Sequence, residues 1–441
     1  GMLKTRKLTR RGAVAAGGAS LAAACGTAGT SGGQAPRADR KPVTLQYWTR
    51  FGAGGSRSYV ETGEFEGQRL PEFEQESAPI KVERTMIVNH SELLQKLTVG
   101  FVSGTGPDVF NVGSPGVAQM AAPGFLLPLD SYSRVKKEAS DFFESGLKIG
   151  SYKGKLYGLT YYADMRVLIY RKDHLAEAGL PNDRKALPKT WDQFREATRK
   201  LARWEGGQIA RIGFDVPKGD DSFFLLMVRQ LGKETLNPEL TKATFDGVEG
   251  ERALQTIVDF IHRDRIDAFE RPELPRGVPP LANGYISSVF RNSQEIGNVR
   301  GADLDPTALL VAELTPEFTG KTTASGYLGG TWVLASKAAR DVDAALDLLL
   351  FLGSIEQVLG VAERFSSVPP RKSADKSVQD PLLRPFFEAQ DKAWSVPGHP
   401  KFEQIRVKIR EVMPQVLRRE KSVKEALSEM AAFTNTTLNS A

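Results

Sequence analysis

Along the chain, short β-prone apolar runs alternate with stretches whose apolar residues recur every three or four positions. Residues 43–48 form the first β-prone run. It passes through Thr49-Arg50-Phe51 into Gly52-Ala53-Gly54-Gly55, a loop by composition. A helix is predicted over 69–76 and a strand over 80–88. Ser91 reads as the N-cap of a helix that places Leu93, Leu94, Leu97 and Phe101 at helical spacing. Ser103-Gly104-Thr105-Gly106-Pro107 ends that helix, and Asp108-Val109-Phe110 opens another strand. Strand, helix, strand in this order predicts parallel βαβ units.

The later pattern is similar. Residues 157–171 read as a strand pair or a crossing segment. Thr190 and Gln193 form a capping box for a helix running to about Trp204. Further helices are predicted over 223–231, 249–263 and 340–352, with a buried strand over 331–334. Residues 402–438 read as two helices parted near 420–422, and 272–280 as a proline-rich loop. No tandem repeat is visible.

The start of the chain follows a different pattern. A basic stretch with Arg10-Arg11 leads into small apolar residues that end at Cys25, the only cysteine in 441 residues. Gly1 before Met2 reads as a residue added ahead of the natural start. A positive region, an apolar region and small residues before a cut are what an export signal needs. The apolar stretch 12–24 is too short and too rich in glycine and alanine to span a bilayer, and no later stretch offers about 20 uncharged apolar residues. Residues 26–41 read as a flexible tether.

Composition suggests a nucleic-acid binder until the charge is located. The formal charge is +6, and residues 1–40 hold seven basic side chains against Asp39 alone. The body is therefore neutral, and no nucleic-acid partner is expected. Metal and enzyme motifs are missing as well. The four histidines lie far apart, with no His-Glu-x-x-His and no zinc pattern. Gly113-Ser114-Pro115-Gly116 is only part of a nucleophile elbow, and Gly320-Lys321-Thr322 lacks the first glycine of a phosphate loop. No cofactor, metal or catalytic residue is predicted. A pair of carboxylates acting on a glycoside stays open, because any fold supplies many.

A set of ordered motifs carries a family resemblance. Thr9-Arg10-Arg11-Gly12-Ala13-Val14 resembles a twin-arginine export motif. Cys25 resembles a lipobox cysteine, with Leu21 one place earlier than usual. In the body, Ser103 to Val109 resembles SG-x-x-PDV and Gly124 to Asp130 resembles G-x-L-x-PLD. Tyr152 to Thr160 resembles Y-x-GK-x-YG-x-P, with threonine for proline. Asp164 to Asp173, Glu177-Ala178-Gly179-Leu180 and Pro188 to Trp191 resemble D-x-x-VLYYNKD, EAGL and PKTW. Gly329-Gly330-Thr331-Trp332, Ser354 to Gln357 and Val368 to Lys372 match late positions. In this order they resemble the extracellular solute-binding proteins of bacterial ABC importers, in their maltose-binding-protein-like cluster.

The resemblance implies an α/β, two-lobed periplasmic-binding-protein-like fold with a hinge and an interlobe ligand cleft. One lobe is expected at 42–161 plus 334–388, the other at 165–330 plus 389–441. It also implies a monomer, lipid-anchored through Cys25, that delivers a carbohydrate to the transmembrane subunits of an ABC permease. An anionic sugar or glycerol phosphate stays open, because Arg50, Arg84, Arg166 and Arg291 match carboxylate and phosphate geometry. An exported carbohydrate-active enzyme stays open too.

Sugar recognition needs aromatic faces and planar polar groups, at the carboxyl ends of strands. Candidates on the first lobe are Trp48, Arg50, Asn111 and Ser114. At the crossing they are Tyr161 and Asp164. On the second they are Asp221, Phe223, Arg291 and Tyr327, with Gly329 and Gly330 letting the backbone approach the ligand. Each has a plainer reading: Trp48 and Phe223 as core, Asp164 as an ion pair, Arg50 and Arg291 as surface charges, and one of Tyr161 and Tyr162 turned into the core. Arg371 and Asp108 are expected to be surface and structural residues, respectively.

Overall fold

The computed structural model describes residues 40–272, 278–302, 304–312, 315–318, 320 and 326–440. The leader with Cys25, most of the tether, and part of the proline-rich loop lie outside the described residues.

The opening strand β1 (Val43–Thr49) buries Leu45, Tyr47 and Thr49 and turns the residues between them outward. Helix α1 (Arg57–Glu76) starts twelve residues before the predicted 69. Within it Gly63 serves close packing: a Cβ there would lie 2.8 Å from the Gly52 Cα. Strand β2 (Ile80–Met86) and helix α2 (His90–Ser103) follow. Asn89, rather than Ser91, caps α2, its Oδ1 accepting from the Glu92 amide at 2.9 Å. Strand β3 (Val109–Gly113) runs straight into helix α3 (Ser114–Ala121). β1 pairs in parallel with both β2 and β3, as the βαβ pattern predicts.

Residues 158–171 form one strand, β4 (Gly158–Arg171), rather than a pair. Helix α4 (Trp191–Leu201) carries the expected Thr190–Gln193 capping box. Then come α5 (Asp221–Gln230), α6 (Val248–His262), and the strands β5 (Ser288–Asn292), β6 (Leu309–Val311) and β7 (Tyr327–Ala335). Helices α7 (Val342–Leu352), α8 (Ile355–Arg364), α9 (Phe402–Leu417) and α10 (Val423–Asn439) complete the chain. Ser422 and Glu425 form a second capping box, which restarts the helix after the break near 420.

Among the described residues the main sheet runs β6-β4-β7-β3-β1-β2, with β5 also on β4. β7 is antiparallel to both its neighbours, so the sheet is mixed. β4 and β7 are long enough to serve two cores. The first core gathers Leu45, Tyr47, Phe110, Leu159, Trp332 and Val333 with the leucines of α7. The second gathers Leu168, Trp191, Phe194, Phe223, Phe260, Tyr327, Ile409 and Met430. A third cluster, with Met165, Val289, Leu328 and Phe386, lies along the middle of β4. The two-lobed α/β fold follows: two cores, joined by paired strands. No described helix is by itself long and apolar enough to cross a membrane. The bent pair α7 and α8 passes that test on composition, but its leucines fill the first core.

Candidate functional site

A cleft of about 240 Å³ opens where β4 and β7 pass from one core to the other. Register fixes what it presents. Arg166 pairs with Tyr327, Asp164 with Gly329, Ala163 with Gly330 and Tyr162 with Thr331, and a bulge follows between Thr331 and Trp332. Gly330 has φ +132°, and a Cβ there would sit 2.0 Å from the Tyr162 carbonyl oxygen. Only glycine fits this floor.

The first wall comes from the lobe built on β1 to α3. Arg50 follows β1, Tyr59 lies on α1, His90 opens α2, and Gly113 and Ser114 join β3 to α3. The Arg50 guanidinium lies 5.3 Å from the centre of the Tyr59 ring. Its main-chain N–H donates to Asn111 Oδ1 at 3.0 Å. Asn111 Nδ2 in turn donates to Tyr47 Oη at 2.9 Å and Thr49 Oγ1 at 2.8 Å. Tyr47 Oη donates to Glu66 Oε1 at 2.8 Å, which closes a buried polar network behind the wall. Burial pushes the Glu66 carboxyl up to about 7, against the opposing pull of Tyr47 and Arg84. Burial, then repulsion from Arg50 and Arg406, push His90 down to about 3, so its ring is neutral.

The second wall is built of ion pairs. Arg166 donates to Asp220 Oδ2 at 2.9 Å and Asp164 Oδ2 at 3.2 Å, with its guanidinium 5.3 Å from the Tyr327 ring centre. Asp164 Oδ1 also accepts from Asn292 Nδ2 at 2.6 Å. Burial works against the Arg166 charge, but Asp164 and Asp220 outweigh it and hold the group above its usual range. Arg406 on α9 donates to Asp221 Oδ2 at 2.7 Å, and Arg410 to Asp221 Oδ1 at 2.7 Å. Glu403, one turn earlier, reaches Arg406 at 3.4 Å and Arg410 at 3.3 Å. Burial likewise opposes the Arg406 charge, and Tyr327 and Asp221 raise it.

Chemically, the cleft offers guanidinium donors, the His90 imidazole, two carboxylates with spare lone pairs and the half-buried ring of Tyr59, with Tyr162 and Tyr327, 7% and 2% exposed, behind them. A pyranose, with hydroxyls around its rim and C–H faces, matches that inventory. Among the described residues no group of three His, Cys, Asp or Glu could hold a metal ion. Two larger depressions, near Leu175 to Lys200 and between α6 and the start of α10, lie on the outside of the second lobe. Neither is framed by both cores.

Of the predicted residues, the structure brings Arg50, Ser114, Asp164, Tyr327, Gly329 and Gly330 together in the cleft. The others lie elsewhere. Trp48 packs beside Gly100 against the first lobe's core. Tyr161 is fully buried with its ring 5.9 Å from Phe51, whereas its neighbour Tyr162 lines the cleft and stacks on Phe365 at 4.1 Å. Tyr161 is the residue left unpaired at the bulge, so strict alternation lapses here, and both rings belong to the first core, with Tyr162 at its cleft edge. Asn111 is buried behind Arg50, and Asp221 is buried beneath Arg406. Phe223 is core, 5.7 Å from Trp191. Arg291 pairs with Asp215 at 3.0 Å at the surface. Arg371 is buried rather than superficial, donating to the Gly353 carbonyl oxygen at 2.9 Å. Asp108 holds the Gln46 and Arg340 amides and is structural, as expected.

Sequence reasoning missed Tyr59, His90, Thr331, Glu403 and Arg406 as lining residues. The position of His90 at the start of a helix that follows a strand was a usable signal. Glu403 and Arg406 carried none, since they reach the cleft only through the docking of α9.

Residues 68–385 match the profile described as bacterial extracellular solute-binding protein. The arabinooligosaccharide-binding protein of Bacillus subtilis is 22% identical over 329 residues, 71% of this chain and 70% of the relative. A putative binding protein of Brucella abortus is 26% identical over 244 residues, 53% of this chain; the match spans about half of that relative, 55%. Among solved structures, the sugar-binding protein MalE from Xanthomonas citri superposes with a TM-score of 0.78 at 22% identity, covering 90% of this chain and 97% of that one. The cyclic alpha-maltosyl-1,6-maltose binding protein from Arthrobacter globiformis gives 0.73 at 22% identity, covering 90% and 99%. These likenesses show the fold. With the profile matched over most of its length, the chain belongs to the bacterial extracellular solute-binding protein family.

Proposed function

We propose that this protein is the extracytoplasmic solute-binding component of an ABC importer, and that it captures a sugar or oligosaccharide in the cleft between its lobes. The observation that carries the reading is the cleft itself. It sits on the two strands that join the lobes, and both walls supply planar polar groups and aromatic faces around it. Asp164 and Glu403 accept from sugar hydroxyls, Arg166 and Arg406 donate, and Tyr59 packs against a C–H face. The relative named for arabinooligosaccharide binding supports the same solute class.

In this reading the lobes are 42–161 plus 334–388 and 165–330 plus 389–441, and they close over the solute about the β4–β7 crossing. The closed form docks on the permease. The protein acts as a monomer, performs no chemistry, and is held at the outer face of the membrane by a lipid on Cys25 and the tether 26–41. The twin arginines direct its export.

A ligand that binds only the folded form raises the melting temperature. A panel of mono- and oligosaccharides screened by thermal shift is therefore expected to yield at least one concentration-dependent rise. A folded sample that responds to none of them contradicts the reading. Release of product from an oligosaccharide, lost when one carboxylate is replaced, would make the protein an enzyme instead.

A further inference from the structure

The arginines of the cleft are not equivalent. Arg166 and Arg406 each contact carboxylates of their own wall, and so does Arg410 behind them. Arg50, on the opposite wall, makes no ion pair among the described residues. Its Nε is shielded from solvent and has no hydrogen-bond partner among them. Its NH1 faces the chain at Gly113: a Cβ there would lie 3.2 Å from it. The same spot is bounded by His90, whose Nδ1 is also shielded and unpartnered among the described residues. Helix α3 starts here from Gly113 without a side-chain cap, and Pro115 has no N–H, so the first-turn amides without a side-chain cap are those of Ser114 and Gly116.

A guanidinium in a narrow, partly desolvated cleft is stabilised far more by a carboxylate or phosphate than by hydroxyls, because its planar fork matches their oxygens and their charge offsets its own. An uncapped helix start beside it favours the same sign of charge. We infer that the solute carries an anionic group, a carboxylate or phosphate, that seats on Arg50 beside Gly113 and Ser114. The sugar ring lies against the ion-paired wall. This rests on the proposed sugar-binding reading and narrows its solute class. The competing role for Arg50 is as a counter-charge to the opposite wall, whose four carboxylates (Asp164, Asp220, Asp221 and Glu403) exceed its three arginines. In that role it would not distinguish an anionic solute from a neutral one.

Calorimetric titration of the full chain with matched probes separates these: glucuronate against glucose, galacturonate against galactose, glycerol phosphate against glycerol, and inorganic phosphate alone. An anionic member of a pair is expected to bind about tenfold to a hundredfold more tightly than its neutral twin, the range for hydrogen bonds to charged groups. That ratio should shrink as salt is raised. It should fall close to one in Arg50→Gln and survive in part in Arg50→Lys, which keeps the charge and guards against a folding defect in the first variant. The uronate and phosphate arms tell the two anions apart. If neutral sugars bind as tightly as their anionic twins, the inference falls and the sugar reading stands. If phosphate and glycerol phosphate bind and no sugar does, the sugar reading falls and the Arg50 subsite stands. If no probe binds a folded sample, both fall.

Discussion

On one wall of the cleft, Arg166 and Arg406 sit among Asp164, Asp220, Asp221 and Glu403. On the other, Arg50 has an aromatic ring and an amide network behind it but no carboxylate paired with it among the described residues. The first arrangement fixes side chains before a ligand arrives, because each guanidinium is already held in a fork of oxygens. The second leaves donors open. A two-lobed binder can thus divide recognition between its walls. The pre-organised wall supplies geometry, and the unpaired wall supplies groups that a ligand must satisfy. The supports differ accordingly. Ion pairs from α9 hold up the one wall, and a buried hydrogen-bond network around Glu66, with Arg84 3.6 Å from its second oxygen, holds up the other.

Removing the support of the paired wall should have the largest effect. Asp221 is 1% exposed and is shared by Arg406 and Arg410. Asp221→Asn should cost about 3–5 kcal/mol of folding stability, the range for breaking a buried pair from one side. Urea unfolding measures it. A loss of under about 1 kcal/mol would mean the wall is not held by this carboxylate.

The unpaired wall responds to pH instead. The Glu66 carboxyl is raised from 4.5 to about 7 in the folded protein. The folded state therefore binds more protons than the unfolded one between those values. The contribution of Glu66 to stability is fully present below 4.5 and is lost as pH rises to about 7, by about 3 kcal/mol. His90 has the opposite sign. Its folded value lies near 3, so its contribution is present above about 6.5 and is lost as pH falls toward 3. Glu66→Gln should abolish the Glu66 slope, so the stability of the variant relative to wild type should rise between about pH 4.5 and pH 7. Parallel stability profiles would contradict a buried network centred on this carboxyl.

At the crossing between the walls, Asp164→Asn should weaken sugar affinity by about 1.5–3 kcal/mol, read by calorimetry. Unchanged affinity would remove Asp164 from the site. The smallest effect is expected at Arg291. Its side chain is 44% exposed, and its partner Asp215 also contacts Arg271. Arg291→Ala should change stability by no more than about 1 kcal/mol and leave affinity within experimental error. A loss of binding there would extend the cleft beyond the two walls described.

Much of this fold was legible in the chain. The β-prone run 43–48, the 190–193 capping box and the break near 420 each depend on local sequence, and the structure keeps all three. The start of α1 was not legible, because Gly63 and Gly67 weaken its helical pattern and only the packing of Gly63 on Gly52 shows what the first of them is for. The site was legible where it lies at strand ends. Arg50, Ser114 and Asp164 follow or interrupt β-prone runs, and Gly329-Gly330 marks a backbone that must come close. It was illegible where tertiary packing decides. Nothing local tells Tyr162 from Tyr161, because the bulge that leaves Tyr161 unpaired is set by how β4 pairs with β7. Arg406 lies on a predicted amphipathic helix, but its place in the cleft depends on how that helix docks on α5. Asp221, a candidate ligand residue by sequence, sits instead directly beneath Arg406.

Everything proposed for the cleft requires that its two walls form a single solute site. The decisive measurement is calorimetric titration with the sugar giving the largest thermal shift, in wild type and in one variant from each wall, Arg50→Gln and Glu403→Gln. One saturable site of unit stoichiometry is expected in wild type, weakened by either substitution. Binding that is unchanged in both variants would place the sugar elsewhere and contradict a site shared between the walls.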